Sequence, residues 1–313
     1  MSYRLEHPGE LEAEIRRVAI ERLEHALEEL SAGLQRDPAE AVHAARKDLK
    51  KTRSLLRFAR DSLSKKRYRA ENQRLREAAH LLAGAREADA QVESLQAMIE
   101  YAGARMSPEC LAAADAWLTS MRSQKSAQSD RGEAASQAAL LIAASRDEAR
   151  LWALGRGGFE LIAPGLHRTY RQGRRFMSRA MGDPSDETVH EWRKRVKDLW
   201  YSLRLLEDVW PESIGATASE AHALSELLGD HHDLGEVRIA AEAGAPELSP
   251  EAQVELLKWV RIRQDELHRA AMALGRRLYA ERPRRYAQRL EGLWQAWEAD
   301  AAQQAGQFGL PSS

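Results

Sequence analysis

Val189-His190-Glu191-Trp192-Arg193-Lys194-Arg195-Val196-Lys197, continuing to Arg204, has a partner 147 positions earlier, Val42-His43-Ala44-Ala45-Arg46-Lys47-Asp48-Leu49-Lys50, continuing to Arg57. Both read V-H-x-x-R-K-x-(V/L)-K, with an Arg seven residues after the last Lys. One pattern in both halves of a chain is an internal repeat, and it governs how the rest is read. Counted from the His, the basic positions fall at offsets 3, 4, 7 and 14. On an α-helix these offsets share one face. Each copy thus carries a His, two Arg and two Lys in a single stripe. Val42, Leu49 and Leu56, with Ala45 and Ala59, form the core face of the first helix. Val189, Trp192, Val196, Leu199, Leu203 and Leu206 form that of the second. Each basic stripe lies beside a core face.

The chain has 313 residues, 43% of them apolar, which suffices for two ordinary domains or two bundled halves. Net charge is −1 with 30% charged residues, so the whole is no polyanion magnet. The distribution is uneven. Residues 41–76 hold thirteen Lys/Arg against three Asp/Glu, and residues 167–204 have an excess of five. Such clusters make positive fields that attract anions. The single cysteine, Cys110, excludes a disulfide framework or a cysteine zinc site. The start, Met-Ser-Tyr-Arg-Leu-Glu-His-Pro, has no apolar signal region, and no run approaches the length of a membrane span. The expected compartment is the cytoplasm.

Helical periodicity dominates, and Val/Ile/Thr alternation is scarce. The first half predicts helices over about 10–34, 38–63 and 65–82, then from about 88 to 101. Asp37-Pro38 and Ser107-Pro108 are cap-and-proline starts. Residues 124–133 form a polar loop, and a helix over 134–154 leads to a glycine hinge at 155–158. The second half predicts helices over 159–181, 187–209 and 212–228, a break at Gly229, a helix from His232, and two long helices over 251–277 and 283–304. A disordered tail is expected over 305–313. The region after the third helix also repeats. Leu82-Ala83-Gly84-Ala85-Arg86-Glu87 aligns on Leu228-Gly229-Asp230-His231-His232-Asp233 at offset 146. The expected architecture is all-α, two antiparallel bundles related by approximate twofold symmetry, with halves at 1–154 and 159–304.

The two V-H-x-x-R-K-x-(V/L)-K helices, each followed some 40 residues later by the (L)-(G/A)-x-x-(R/H)-(D/E) segment, resemble the CHAD family, the conserved histidine α-helical domain. The second half is the closer match and adds the run Tyr170-Arg171-x-Gly173-Arg174-Arg175. The resemblance spans essentially the whole chain. It implies two four-helix bundles with pseudo-twofold symmetry, their basic stripes facing each other across a central groove or pore. It implies that inorganic polyphosphate binds there, with a possible association with polyphosphate granules. The chain resembles a stand-alone member rather than one fused to a triphosphate-tunnel (CYTH) domain. By position, the implied ligand contacts are His43, Arg46, Lys47, Lys50 and Arg57 from one half. From the other they are His190, Arg193, Lys194, Lys197 and Arg204, with Arg171, Arg174 and Arg175 from the preceding helix.

The chemistry suits that ligand. Cations recur about every 5 Å along a helical stripe, close to the spacing of charge on a phosphate chain. Arg forks onto two oxygens and Lys acts as a point charge. A histidine donates a hydrogen bond and gains charge if an anion raises its pKa. The bland readings are a solvated Lys/Arg face, and histidines held by Glu87 and Asp233. His231-His232-Asp233 is a metal triad only in outline, with no counterpart in the first half. The tryptophans are core anchors, and no GxxxxGK[ST] loop is present. The expectation is a non-enzymatic polyphosphate binder without cofactor, metal, membrane or specific nucleic-acid partner. Two alternatives stand beside it. One is a polyphosphate hydrolase or phosphotransferase using His43 or His190, disfavoured by the lack of carboxylates for Mg²⁺. The other is a non-specific RNA-binding module.

Overall fold

Ala, Leu, Glu and Arg fill the chain with good helix formers, and the computed structural model of it is all-α. It describes residues 2–125, 132–155 and 157–307, without the side chains of 84–89, 124–125 and 305–307. Among the described residues there are no strands. Eleven helices follow one another: α1 (Leu11–Glu28), α2 (Pro38–Phe58), α3 (Lys65–Leu81), α4 (Gly84–Ala102), α5 (Pro108–Lys125), α6 (Gly132–Ala149), α7 (Ala163–Gly182), α8 (Asp186–Leu205), α9 (Pro211–Ala243), α10 (Pro250–Leu278) and α11 (Pro283–Gln307). Local signals set most starts. Asp37 accepts from the backbone N–H groups of Ala39 and Glu40 at 3.0 and 3.1 Å, with Pro38 at the first position of α2. The Ser107 hydroxyl accepts from the Cys110 N–H at the start of α5. Gly155 and Gly158 have φ of 43° and 56°, a left-handed backbone that glycine adopts without strain.

Several boundaries differ from the sequence expectation. α1 passes through a π-helical turn, Glu29–Gly33, into a short helical segment ending at Arg36. α2 and α8 end at Phe58 and Leu205 and are followed by 3₁₀ turns, Arg60–Ser62 and Glu207–Val209. α4 begins at Gly84, so the interruption after α3 is shorter than expected. α11 continues through Gln307, past the expected start of the tail, and 308–313 lie outside the described residues. Residues 126–131 of the expected polar loop lie outside them too.

The largest correction is at Gly229. No break occurs there: α9 runs unbroken for 33 residues. A buried glycine inside a helix costs only about 1 kcal/mol relative to alanine, and packing along α9 outweighs that. The glycine instead makes room, because a Cβ at 229 would meet the Arg193 guanidinium at 3.2 Å.

Packing decides what these helices do. α1 packs on α2 and α6, α3 on α6, and α2 on α3. α8 packs between α7 and α9, with α10 beside α9 and α11 on α7. α4 and α5 leave the neighbourhood of α1 and pack on α9 and α10. One core of buried side chains runs without interruption from Leu11 and Leu49 through Leu166, Trp192 and Leu199 to Trp294. A smaller one joins Leu95, Met98 and Cys110 to Val237, Leu256 and Val260. The core faces read from the sequence are the buried ones: Val42, Ala45, Leu49 and Leu56 in α2, and Val189, Trp192, Val196, Leu199 and Leu203 in α8. Their burial fixes the rotation of both helices, and hence the direction of both stripes. Trp152, Trp192 and Trp294 are core anchors as expected, whereas Trp210 is half exposed.

Candidate functional site

α2 and α8 touch each other, and a cavity of about 970 Å³ opens beside them. Four residues of the first stripe line it: His43, Arg46, Lys47 and Lys50. Arg193, Lys197 and Arg204 of the second stripe line it as well. Two segments 147 residues apart in sequence thus contribute cations to one space.

The lining residues are held individually. Arg46 donates to the carbonyl oxygens of Leu82 and Ala83 at 3.0 and 2.8 Å, which caps the last turn of α3. In the second half the repeat-equivalent Arg193 lies against Gly229, in the middle of α9. Arg204 is 3.4 Å from Glu207. Burial pushes the Lys197 ammonium down to about 8, with Arg193 adding repulsion while Glu226 and Asp233 act the other way. At neutral pH this lysine is still mostly protonated, and an anion beside it would hold the charge there.

The other expected ligands are placed elsewhere. Arg57 forms an ion pair across to Asp198 of α8 instead of lining the cavity. Lys194 pairs with Glu191 at 2.5 Å on the helix surface. Arg171, Arg174 and Arg175 lie on α7, outside the cavity, and Arg174 donates to the Glu281 carbonyl oxygen at 3.2 Å. His190 is not a lining residue; its ring lies 4.2 Å from that of His232. Burial first, then His232, Lys194 and Arg193, press its pKa down to about 4, so at neutral pH it is uncharged. In the bland reading Asp233 holds His190, but the contact seen is this one with the His232 ring, and the Glu87 side chain lies outside the described residues.

Several lining residues escaped the sequence reading. Tyr3 and Arg4 come from the segment before α1, which has no periodicity to read. That segment is pinned by Leu5 N–H donating to Leu205 O at 2.9 Å, by the Tyr3 hydroxyl donating to Lys51 O at 3.1 Å, and by Arg4 pairing with Asp208 at 2.9 Å. Trp200 and His222 add a pair of rings stacked at 4.3 Å. Glu226, Asp230 and Asp233 of α9 also line the cavity. Their offsets of 4 and 7 are the helical-face test applied to acids, which would have found them. Burial, Glu226 and Asp233 hold the Asp230 pKa above the usual carboxylate value.

Among the described residues the lining holds eight Lys/Arg and five Asp/Glu, a positive balance in a chain whose total is −1. Among the described residues no three His, Cys, Asp or Glu converge as metal ligands. His231 turns into the core, 3.9 Å from Asp186, while His232 and Asp233 face the cavity, so the outlined triad does not assemble. Among the described residues no helix is long and apolar enough to cross a membrane. The arrangement offers ammonium and guanidinium donors from several elements to one anionic ligand.

Comparison with known proteins bears on the whole chain. The structure is similar to that of PptA from Streptomyces chartreusis, with a TM-score of 0.55 and 16% sequence identity over 85% of this chain and 98% of that one. At this identity the likeness is one of fold. No curated protein matches the sequence. The CHAD domain matches residues 17–242, which include both stripes and most of the lining. The match covers well over half of the sequence, and the chain belongs to the CHAD domain family.

Proposed function

We propose that the protein binds inorganic polyphosphate in the cavity beside α2 and α8. The supporting observation is the convergence of Arg46, Lys47 and Lys50 with Arg193, Lys197 and Arg204 on one space. Family membership points to the same ligand class. The finer arrangement belongs to this reading too: two four-helix bundles with pseudo-twofold symmetry, and a central groove between their stripes. Each charge-assisted contact contributes roughly 1.5–3 kcal/mol, reduced by the entropy of ordering the ligand. Lys47 and Arg193 are the principal ligands, with His43 a neutral or charged donor beside them. Arg57 and His190 act on the site through packing.

The reading is of a binder rather than a catalyst, in the cytoplasm, with polyphosphate granules as the place where such a ligand accumulates. The test is a titration of purified protein with short polyphosphate, long polyphosphate and RNA across a salt series. Long polyphosphate binds most tightly, and the double variant Lys47→Glu/Arg193→Glu binds far less. Unchanged binding by that variant refutes the site, and RNA competing at equal phosphate concentration refutes the ligand. Phosphate release with Mg²⁺, abolished by His43→Ala or His190→Ala, would establish the enzymatic alternative.

A further inference from the structure

Residues 276–289 contain six arginines and one acid, Glu281. They form the end of α10, the turn after it and the start of α11. The CHAD match ends at residue 242, so this stretch lies outside it. α7 fixes the turn. The Tyr170 hydroxyl donates to Leu278 O at 3.1 Å, its ring stacks on Tyr286 at 3.9 Å, and Arg174 donates to Glu281 O. Arg171 and Arg175, exposed on the same turn of α7, add two more guanidiniums.

The one acid is taken, since Arg289 pairs with Glu281 at 3.0 Å. Arg276, Arg277, Arg282, Arg284 and Arg285 are exposed and have no carboxylate partner among the described residues. Arg284 and Arg285 stand in the first turn of α11, which has no acid. Positive charge there opposes the helix dipole and repels its neighbours, so local folding disfavours it. None of these arginines lines the cavity. Trp192 of α8 packs on Gly275 at the end of α10 while the adjacent Arg193 faces the cavity, so the two basic regions lie on different sides of α8.

We propose that the α10–α11 turn, with Arg171 and Arg175, is a second phosphate-chain site that holds inorganic polyphosphate independently of the cavity. One protein molecule then bridges two chains, or two segments of one. Every cation in the stretch is arginine, whose planar fork matches phosphate oxygens. The aromatic rings nearby, Tyr170, Tyr279 and Tyr286, are buried, so nucleobases find no exposed ring to stack on. The choice of polyphosphate over other phosphate chains rests on the reading of the cavity; the arginine surface does not.

The test compares wild type, Arg277→Glu/Arg284→Glu/Arg285→Glu and Lys47→Glu/Arg193→Glu. Each is titrated with labelled long-chain polyphosphate for stoichiometry and followed by light scattering for cross-linking, with circular dichroism to confirm folding. Wild type shows two classes of site and a scattering maximum. The turn variant loses the scattering maximum and weakens one class by about tenfold or more, while the cavity variant weakens the other class. A turn variant that titrates and scatters like wild type overturns the second site. Duplex DNA displacing polyphosphate from the cavity variant at equal phosphate concentration overturns its ligand. A cavity variant indistinguishable from wild type removes the cavity reading and leaves the turn site standing.

Discussion

Arg57 and Lys47 belong to one stripe, yet their substitution has different consequences. Lys47 lines the cavity, whereas Arg57 is paired with Asp198, whose side chain is 8% exposed. Six stripe cations line the cavity: Arg46, Lys47, Lys50, Arg193, Lys197 and Arg204. If each neutralises one phosphate, the slope of log affinity against log salt is about −4 to −5, taking roughly 0.7–0.9 per contact. Raising salt from ~50 to ~200 mM then weakens binding by roughly 300- to 1000-fold. Lys47→Ala lowers the slope by about 0.8 and leaves stability nearly unchanged. Arg57→Ala leaves the slope as it is but destabilises the fold. Asp198 keeps Arg195 at 3.1 Å, so the loss is about 1–3 kcal/mol rather than that of a wholly abandoned buried charge. Fluorescence titration over a salt series reads the slope, and urea denaturation reads the stability. If Arg57→Ala shifts the slope as much as Lys47→Ala, with no fall in the urea midpoint, Arg57 is a ligand and not a structural ion-pair partner.

Other perturbations test the elements that position the site. Gly229→Ala puts a Cβ 3.2 Å from a flexible guanidinium end; the fold stays as stable or gains up to about 1 kcal/mol, and polyphosphate affinity falls less than in Arg193→Ala. A clear loss of stability would mean that α9 is interrupted there. Gly165→Ala builds a Cβ 1.9 Å from the Phe58 carbonyl oxygen, where α7 crosses α2, and backbone cannot yield as a side chain does. It costs at least about 2–3 kcal/mol, measured by urea unfolding; a smaller loss places the two helices further apart. His190 gives a pH signature. Its pKa is depressed from 6.5 to about 4, so its contribution to stability is present above about pH 6.5 and is lost as pH falls towards 4. Between pH 7 and pH 5, wild type loses about 1–2 kcal/mol more than His190→Gln. Equal losses in the two proteins would show that His190 titrates normally.

Helical class and the two core faces were legible because amphipathic periodicity is a local property. Val42, Leu49, Val189 and Val196 mark buried faces by spacing alone, and Asp37-Pro38 marks a start through bonds that span three residues. The repeat also located six of the cations that line the cavity, since a stripe's rotation follows from the apolar face next to it. What the pattern hid is where the halves differ. At offset 147, Asp48 and Lys51 correspond to Arg195 and Asp198, so the i,i+3 ion pair is present twice with its signs exchanged. Asp198 then pairs with Arg57 of α2, which does not line the cavity.

The sequence by itself determined that the chain is all-α, that two helices carry matching basic stripes, and that each stripe adjoins a core face. These follow from backbone periodicity and side-chain polarity within a few turns. Only the tertiary structure decided which cations share a space, because that depends on how helices pack across 147 residues of separation. It admitted Tyr3 and Arg4 from an aperiodic segment, placed three acids of α9 opposite the stripes, and carried α9 straight through Gly229. It also sent Lys194 to the surface and left His190 as a partly buried, neutral ring. Burial and neighbouring charge set those outcomes, and both arise from residues distant in the chain.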